Sequence, residues 1–407
     1  MKILFIHNNF PGQYRRIYQY LGQFPDYEMA VATLATNKQD FDLPSVRYRP
    51  HREPRNNIHP SLVSTEAAVL MGQAAYKALL KVRDSGKAPD IILSHSGWGA
   101  SLFLKDLFPD AKLLNYYEWY YHCHGSDGEF LRDEPYGPDD EIRLRMKNTP
   151  ILQDLSIMDW GQSPTAFQHS QLPAIFHDKV TVLHDGVDTA YYCPDSTARI
   201  DLPDGRSLTV DDEVVTYVAR GMEDYRGFPQ FMEAIAALQK RRPHMHTVLL
   251  GADRVAYGAR QPDGKGLKNW ALKTFEFDTN RLHFLGVQPF GTFRNLMQVS
   301  SAHVYLTVPF VLSWSLMEAM SCGALIVGSD TAPVREVIKD GENGALVPFF
   351  EPEVLADRLD RVLQRPDDFL EQRKQARHTI VTQYGVEDIL PRQRTLIEDV
   401  ASGRLGV

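Results

Sequence analysis

The chain has 407 residues, 43% of them hydrophobic and 24% charged, with a formal net charge of −8. That length exceeds one ordinary core, so two domains are expected, and the composition is ordinary for a globular protein. The negative balance argues against a general nucleic-acid binder, which carries a basic footprint.

Cys123, Cys193 and Cys322 are too widely spaced for a disulfide framework, and no pair has metal-ligand spacing. A reducing cytoplasm fits this usage. The opening apolar run over 3–6 is shorter than a signal-peptide core of about 7–15 residues. No stretch approaches the ~20 apolar residues that span a bilayer. The reading is therefore cytoplasmic, with any membrane contact peripheral, at the inner face.

In chain order, residues 3–6 read as a buried parallel strand. It stops at His7-Asn8-Asn9, and Pro11-Gly12 turns into a helix over 13–21. A strand is expected at 29–33, a helix at 66–83 and a strand at 90–93, followed by a small-residue loop over 94–99. A helix then ends before Pro109, and 112–116 is another strand. After a break, strands are expected at 214–219, 247–251, 283–286, 303–307, 324–327 and 345–347, with helices at 227–239 and 291–300. Helices at 353–362 and 367–384 close this half, and 388–400 can cross back to the first. Alternating strands and helices predict parallel α/β sheets. The pattern breaks near 192–212, where Cys193-Pro194-Asp195 and a polar run intervene.

Several stretches carry chemistry. Ser313 can cap a helix that starts at Trp314 and carries Glu318, and the free N–H groups of such a helix start suit a phosphate. A core helix with an ordinary cap is the alternative. Tyr217-Val218-Ala219-Arg220-Gly221 ends a strand at its carboxyl end, where α/β domains bind ligands. Arg226-Gly227 then opens a helix. Two cations at such a junction suit a diphosphate leaving group; two solvated arginines are the bland reading. Arg47, Arg49, Arg52 and Arg55 cluster between prolines, as a solvated loop or as a contact for pyrophosphate or anionic lipid. His122 and His124 flank Cys123 without a further ligand at telling spacing, and Asp139-Asp140-Glu141 reads as a solvated helix start, so no metal site is expected. Segment 115–129 is rich in aromatics directly after a strand; packing and stacking on sugar rings are both open.

Taken in order, these motifs resemble the retaining family 4 (group 1) glycosyltransferases, which have the GT-B fold. The family carries a strand, an Arg after Gly, then Lys-Gly or Arg-Gly at a helix start; here Ala219-Arg220 and Arg226-Gly227 occupy those places. Upstream, Ser163-Pro164-Thr165 and Val182-Leu183-His184-Asp185-Gly186-Val187-Asp188-Thr189 look like the family's interdomain signature. Downstream, Phe284-Leu285-Gly286-Val287 is similar to the loop that holds the base. The likeness covers most of residues 160–350.

One departure concerns the family's pair of glutamates. Glu318 matches the second, which the family uses for the ribose hydroxyls, but the position of the first is Phe310. Either backbone N–H groups over 312–315 hold the sugar alone or activity is lost. Near the N-terminus, Pro11-Gly12-Gln13-Tyr14 resembles a family loop at the donor phosphate. Tyr117-Glu118 resembles a subgroup in which Glu replaces a His, which places Glu118 near the anomeric carbon or the acceptor hydroxyl.

The resemblance implies an α/β GT-B fold: two Rossmann-like domains facing a central cleft, with a C-terminal helix crossing back. Residues 1–195 would bind acceptor, 196–385 the nucleotide sugar, and 386–407 would pack on the first domain. It implies Glu118, Arg220 and Arg226 as catalytic residues. Gly12, Arg220, Arg226, Val287, Ser313, Trp314, Ser315 and Glu318 would bind the donor, a nucleotide-diphosphate sugar, with no cofactor and no metal. The acceptor would be a glycan or a lipid-linked sugar, in surface polysaccharide synthesis by analogy. A non-catalytic nucleotide-sugar-binding subunit, an epimerase and a phosphorylase are the alternatives. A nicotinamide dehydrogenase is disfavoured, because no Gly-x-Gly-x-x-Gly follows a predicted strand.

Overall fold

The apolar runs of the sequence form parallel strands in a computed structural model of the chain, which describes residues 1–258 and 266–406. The chain divides into two units. The first comprises Met1–Glu129, Glu134–Gly186 and Val386–Val407; the second comprises Phe130–Asp133 and Val187–Gly385.

The first unit is built on seven parallel strands: β1 (Lys2–Ile6), β2 (Glu28–Leu34), β3 (Ser45–Tyr48), β4 (Ile91–His95), β5 (Lys112–Tyr116), β6 (Trp160–Ser163) and β7 (Val180–Val182). Their order is β3-β2-β1-β4-β5-β6-β7. Side chains of a strand alternate between faces, and β1 shows what each face needs. Ile3 and Phe5 pack with Ile17 of helix Arg15–Leu21 and with Leu390 and Ile397 of helix Val386–Ala401. Leu4 and Ile6 pack with Ala75 and Leu79 of helix Val63–Asp84. The C-terminal helix is thus a cover of the first sheet.

The second unit begins with a hairpin of β8 (Arg199–Asp201) and β9 (Ser207–Thr209). Its parallel sheet holds β10 (Val214–Gly221), β11 (His246–Ala252), β12 (Leu282–Gly286), β13 (Ala302–Tyr305), β14 (Ile326–Ser329) and β15 (Ala345–Val347), in the order β12-β11-β10-β13-β14-β15. One apolar cluster runs from the hairpin through helices Phe290–Val299 and Trp314–Ser321.

Both sheets reverse direction once. From β1 the chain steps outward through β2 and β3, then returns to β4 on the other side of β1. From β10 it steps through β11 and β12, then returns to β13. At such a reversal the loops leaving the carboxyl ends diverge and open a crevice, where open α/β sheets bind ligands.

Several details differ from expectation. Strands β3, β6 and β7 carry few consecutive apolar residues, so their periodicity is weak. The polar run after Asp201 is a hairpin closed by Asp212, which accepts from the N–H and hydroxyl of Thr209 at 2.8 and 3.0 Å. The four clustered arginines are parted. Arg47 lies on β3, donates to the carbonyl of Asn37 at 2.8 Å and sits over the Phe41 ring. Arg52 pairs with Glu66 at 2.6 Å.

The loop after β4 lies directly on helix Val63–Asp84. Gly99 has φ +88°, and a Cβ there would sit 2.2 Å from the Ala68 carbonyl oxygen. Gly99→Ala is therefore expected to lower the unfolding free energy by about 2–5 kcal/mol, combining a strained φ with overpacking. Urea denaturation measures it; an unchanged midpoint would contradict the close approach.

Candidate active site

At the second reversal, the carboxyl ends of β10 and β13 flank a pocket lined by Tyr217, Ala219, Arg220, Arg226, Tyr305 and Ser313, among others. Gly227 has φ +60°, and a Cβ there would meet the Leu306 side chain at 2.5 Å, so only glycine lets the helix start this close to β13. That approach buries the preceding Arg226 to 5% exposure. Its guanidinium donates to Thr307 Oγ1 at 2.7 Å, to the Tyr305 hydroxyl at 3.2 Å and to the Val311 carbonyl at 3.0 Å. Burial opposes its charge, but Tyr305, Tyr257, Tyr217 and Glu223 outweigh that and hold it above its ordinary pKa. Arg220 is exposed at the same strand end.

Tyr305 ties the arginine to the helix start, because its hydroxyl also accepts the Ser313 N–H at 2.7 Å. Ser313 caps helix Trp314–Ser321 by accepting from the Ser315 N–H at 3.3 Å. Glu318 is buried one turn further on. Phe310 stands next to the arginine. Its ring packs against Tyr225 and Tyr257, 5.5 and 5.3 Å between centroids, and lies 6.0 Å from the guanidinium carbon. Glu223, 1% exposed, accepts three successive N–H groups, from Ala256, Tyr257 and Gly258, at 2.8–3.1 Å. This places the Tyr257 ring over Arg226.

At the first reversal a second set of polar groups collects. His7 follows β1, His95 ends β4 and Glu118 follows β5. Gln13 donates to Glu118 Oε1 at 3.2 Å, and His95 Nε2 lies 3.5 Å from Glu118 Oε2. Gln168 donates to the Glu118 carbonyl at 2.7 Å, which fixes its backbone. Gly12 has φ +46°, and a Cβ there would lie 2.3 Å from the His7 ring. The loop therefore wraps the imidazole closely.

The structure brings Arg220, Arg226 and Ser313 to one pocket, with Trp314, Ser315 and Glu318 on the adjoining helix. It brings Gly12 and Glu118 together through His7 and Gln13. Val287 follows β12 and is 78% exposed, outside the pocket lining. Of the aromatics at and after β5, Tyr116, Tyr117 and Trp119 are buried, whereas Tyr120 and Tyr121 are half-buried. Among the described residues no group of three His, Cys, Asp or Glu is placed to hold a metal ion. No described helix is long and apolar enough to cross a membrane. Sequence reasoning missed His7, His95, Tyr305 and Glu223. The first two had a signal, since each stands where an apolar strand run meets its carboxyl end.

A family model described as "Glycosyl transferase family 4 group" matches residues 27–192, and one described as "Glycosyl transferases group 1" matches 202–379. The chain belongs to the family 4 (group 1) glycosyltransferases. Among members of this family, a D-inositol 3-phosphate glycosyltransferase of Frankia alni is 28% identical over 195 residues, 46% of this chain and 46% of that protein. A phosphatidyl-myo-inositol mannosyltransferase of Mycobacterium tuberculosis is 28% identical over 210 residues, 50% of this chain and 49% of that protein. The chain thus spans about half the length of the curated relatives it matches. Anabaena HepE, solved in complex with UDP and glucose, superposes with a TM-score of 0.68 at 15% identity, covering 98% of this chain and 100% of that one. The fold is GT-B, two parallel-sheet Rossmann-like domains.

The loop carrying His95 rests on a buried acid. Asp154, fully buried, accepts from the Ser96 hydroxyl at 2.7 Å and the Gly97 N–H at 3.2 Å. Burial pushes its carboxyl up to about 6, against those hydrogen bonds. Because the folded value is raised, its contribution to stability is complete below about pH 4 and is lost as pH rises through about 6. The change is on the order of 3 kcal/mol. Asp154→Asn is expected to flatten this part of the stability–pH curve, followed by urea melts from pH 4 to 7. An unaltered slope in the variant would assign the effect elsewhere.

Proposed function

We propose that the protein is a retaining glycosyltransferase that moves a sugar from a nucleotide-diphosphate donor to a hydroxyl of a glycan or lipid-linked acceptor. The observation that carries this reading is the buried Arg226, held by three hydrogen bonds, beside exposed Arg220 at the reversal of the second sheet. Catalysis of such a transfer depends on stabilising the charge that grows on the departing diphosphate. Two guanidiniums next to a capped helix start supply that charge without rearrangement. The same provision makes the reaction independent of a metal ion and of a cofactor.

Donor binding is assigned to the second unit, through Arg220, Arg226, Ser313, Trp314, Ser315 and Glu318, with Val287 toward the base; the family resemblance adds Gly12 of the first unit for the phosphate. Glu318 takes the ribose hydroxyls. Acceptor binding is assigned to residues 1–195, with Glu118 at the reacting hydroxyl. Retention follows from attack on the face the diphosphate leaves, with a phosphate oxygen taking the acceptor's proton. The relatives named for inositol phosphate and phosphatidylinositol support a polyol or lipid-borne acceptor. A lipid-borne one would be met in the cytoplasm at the inner membrane face, and a role in glycan or surface polysaccharide synthesis fits both. Phe310, where the family has a carboxylate, favours one second reading: a nucleotide-sugar-binding subunit without turnover.

Because Arg226 is part of the core, exposed Arg220 is the cleaner probe. In a melting screen against UDP, GDP, ADP and dTDP, one nucleotide is expected to raise Tm by roughly 5 °C or more at about 100 times its Kd. Arg220→Ala should abolish the shift. No shift with any nucleotide would remove the donor site. A shift without transfer from any donor sugar would leave the binding-subunit reading, and an inverted product anomer by proton NMR would overturn retention.

A further inference from the structure

Glu223 joins two segments of the donor pocket that lie apart in sequence. Its carbonyl accepts from the Arg226 and Phe228 N–H groups at 3.2 and 3.3 Å, which closes the turn that carries Arg226. Its carboxylate reaches the other way, to the loop after β11. There Oε2 accepts from the N–H groups of Ala256, Tyr257 and Gly258 at 3.1, 3.0 and 2.8 Å. Successive N–H groups turned to one point form a nest for an anion, and here the chain fills it with its own carboxylate. Glu223 is 1% exposed, so bulk water does not compete for these bonds.

The same loop lies against the end of β10 before it reaches the nest. The Met222 N–H donates to the Ala252 carbonyl at 3.2 Å, and a Cβ on Gly221 would stand 2.4 Å from the Arg254 carbonyl oxygen. A Cβ on Gly258 would meet the Tyr225 ring at 3.1 Å. The backbone over 252–258 is thus held at its start, middle and end. From it the Tyr257 ring covers Arg226, with 5.3 Å from ring centroid to guanidinium carbon, and packs against Phe310. Tyr257 lines the pocket with Arg220, Arg226 and Ser313 and is 39% exposed. An aromatic face over a guanidinium attracts the cation. It also displaces water from that side, and a charge in a lower dielectric acts more strongly on an anion.

We propose that Tyr257 is a binding residue for the donor's diphosphate, lining its site beside Arg226 and Arg220, and that Glu223 is the positioning residue of Tyr257, holding the ring over the cation from the backbone behind it. This rests on the reading of the pocket as a diphosphate site. Glu223 has a second route to Arg226, because its field favours the cation. Only the route through the ring depends on Tyr257, so the two separate by experiment.

The probes are UDP, GDP, ADP, dTDP and inorganic pyrophosphate, with affinity read by titration calorimetry on the full chain. Tyr257→Ala is expected to weaken the nucleotide that binds the wild type about tenfold. Pyrophosphate, which has no base, should lose the same factor. An unchanged pyrophosphate affinity would place the ring against the base and overturn the assignment. Glu223→Gln keeps an oxygen for the three N–H groups and loses the charge. It is expected to weaken the diphosphate about threefold in the wild type and not at all in Tyr257→Ala. Equal losses in both backgrounds would show that Glu223 acts through its field, and would overturn its positioning role. Ala256→Pro removes one N–H of the nest and leaves the Glu223 charge, so it repeats the comparison should Glu223→Gln not fold. Absence of binding by the wild type would overturn the donor-site reading and this proposal together, whereas wild-type affinity in Tyr257→Ala would overturn this proposal alone.

Discussion

Each sheet of this protein has one place where successive strands are laid down on opposite sides of the first, and the chemistry collects there. Parallel pairing forces every loop at a carboxyl end to leave on the same edge of the sheet, and the reversal forces two neighbouring loops apart. His7 and His95 reach one crevice because β1 and β4 are neighbours, although 88 positions separate the paired Ile3 and Ile91. Arg226 and Tyr305 meet for the same reason, across β10 and β13. Neither grouping is local in sequence, so neither survives a change in strand order.

The two crevices solve opposite electrostatic problems with similar means. A buried charge is tolerated only when its hydrogen-bonding capacity is met. Arg226 is met by a hydroxyl, a phenol and a carbonyl, all neutral. Among these contacts no carboxylate pairs with it directly, while the field of Glu223 favours its charge. Glu118 accepts from the Gln13 amide and keeps a carboxylate at 36% side-chain exposure. Glycines set both approaches, Gly227 against Leu306 and Gly12 against His7.

Much of the sheet framework was legible because buried parallel strands are nearly continuous apolar runs, as over 3–6; the run over 324–327 overlaps β14 only at Ile326 and Val327. Where strands are short or mixed, as in Trp160–Ser163 and Ser45–Tyr48, the same criterion fails, since their burial is imposed by neighbours. At the site, Arg220 and Arg226 could be read from their place at a strand–helix junction. Tyr305, Thr307 and Val311 could not, because their role is to satisfy Arg226 from β13 and the loop that follows it. Glu223 was equally hidden: its partners are three backbone N–H groups, and backbone leaves no trace in residue identity. For the aromatic run after β5 the sequence left packing and stacking open, and Tyr117 and Trp119 turn out buried.

Phe310 is the position where family pattern and physical environment diverge. A carboxylate there would stand within a few ångströms of Arg226 and compete with a phosphate for it. The phenyl ring instead joins Tyr225 and Tyr257 in an aromatic wall beside the guanidinium, which offers its negative face to the cation without neutralising it. In the proposed donor site the substitution would remove a hydrogen-bond acceptor for a sugar and leave the arginine's charge for the diphosphate. Those effects act on different parts of a donor. On that reading, loss of the acceptor would weaken selection among sugars, whereas retention of the charge would preserve the grip on the leaving group. In the proposed reading such a site would keep stabilisation of the departing diphosphate and would relax the contact that decides which sugar is carried.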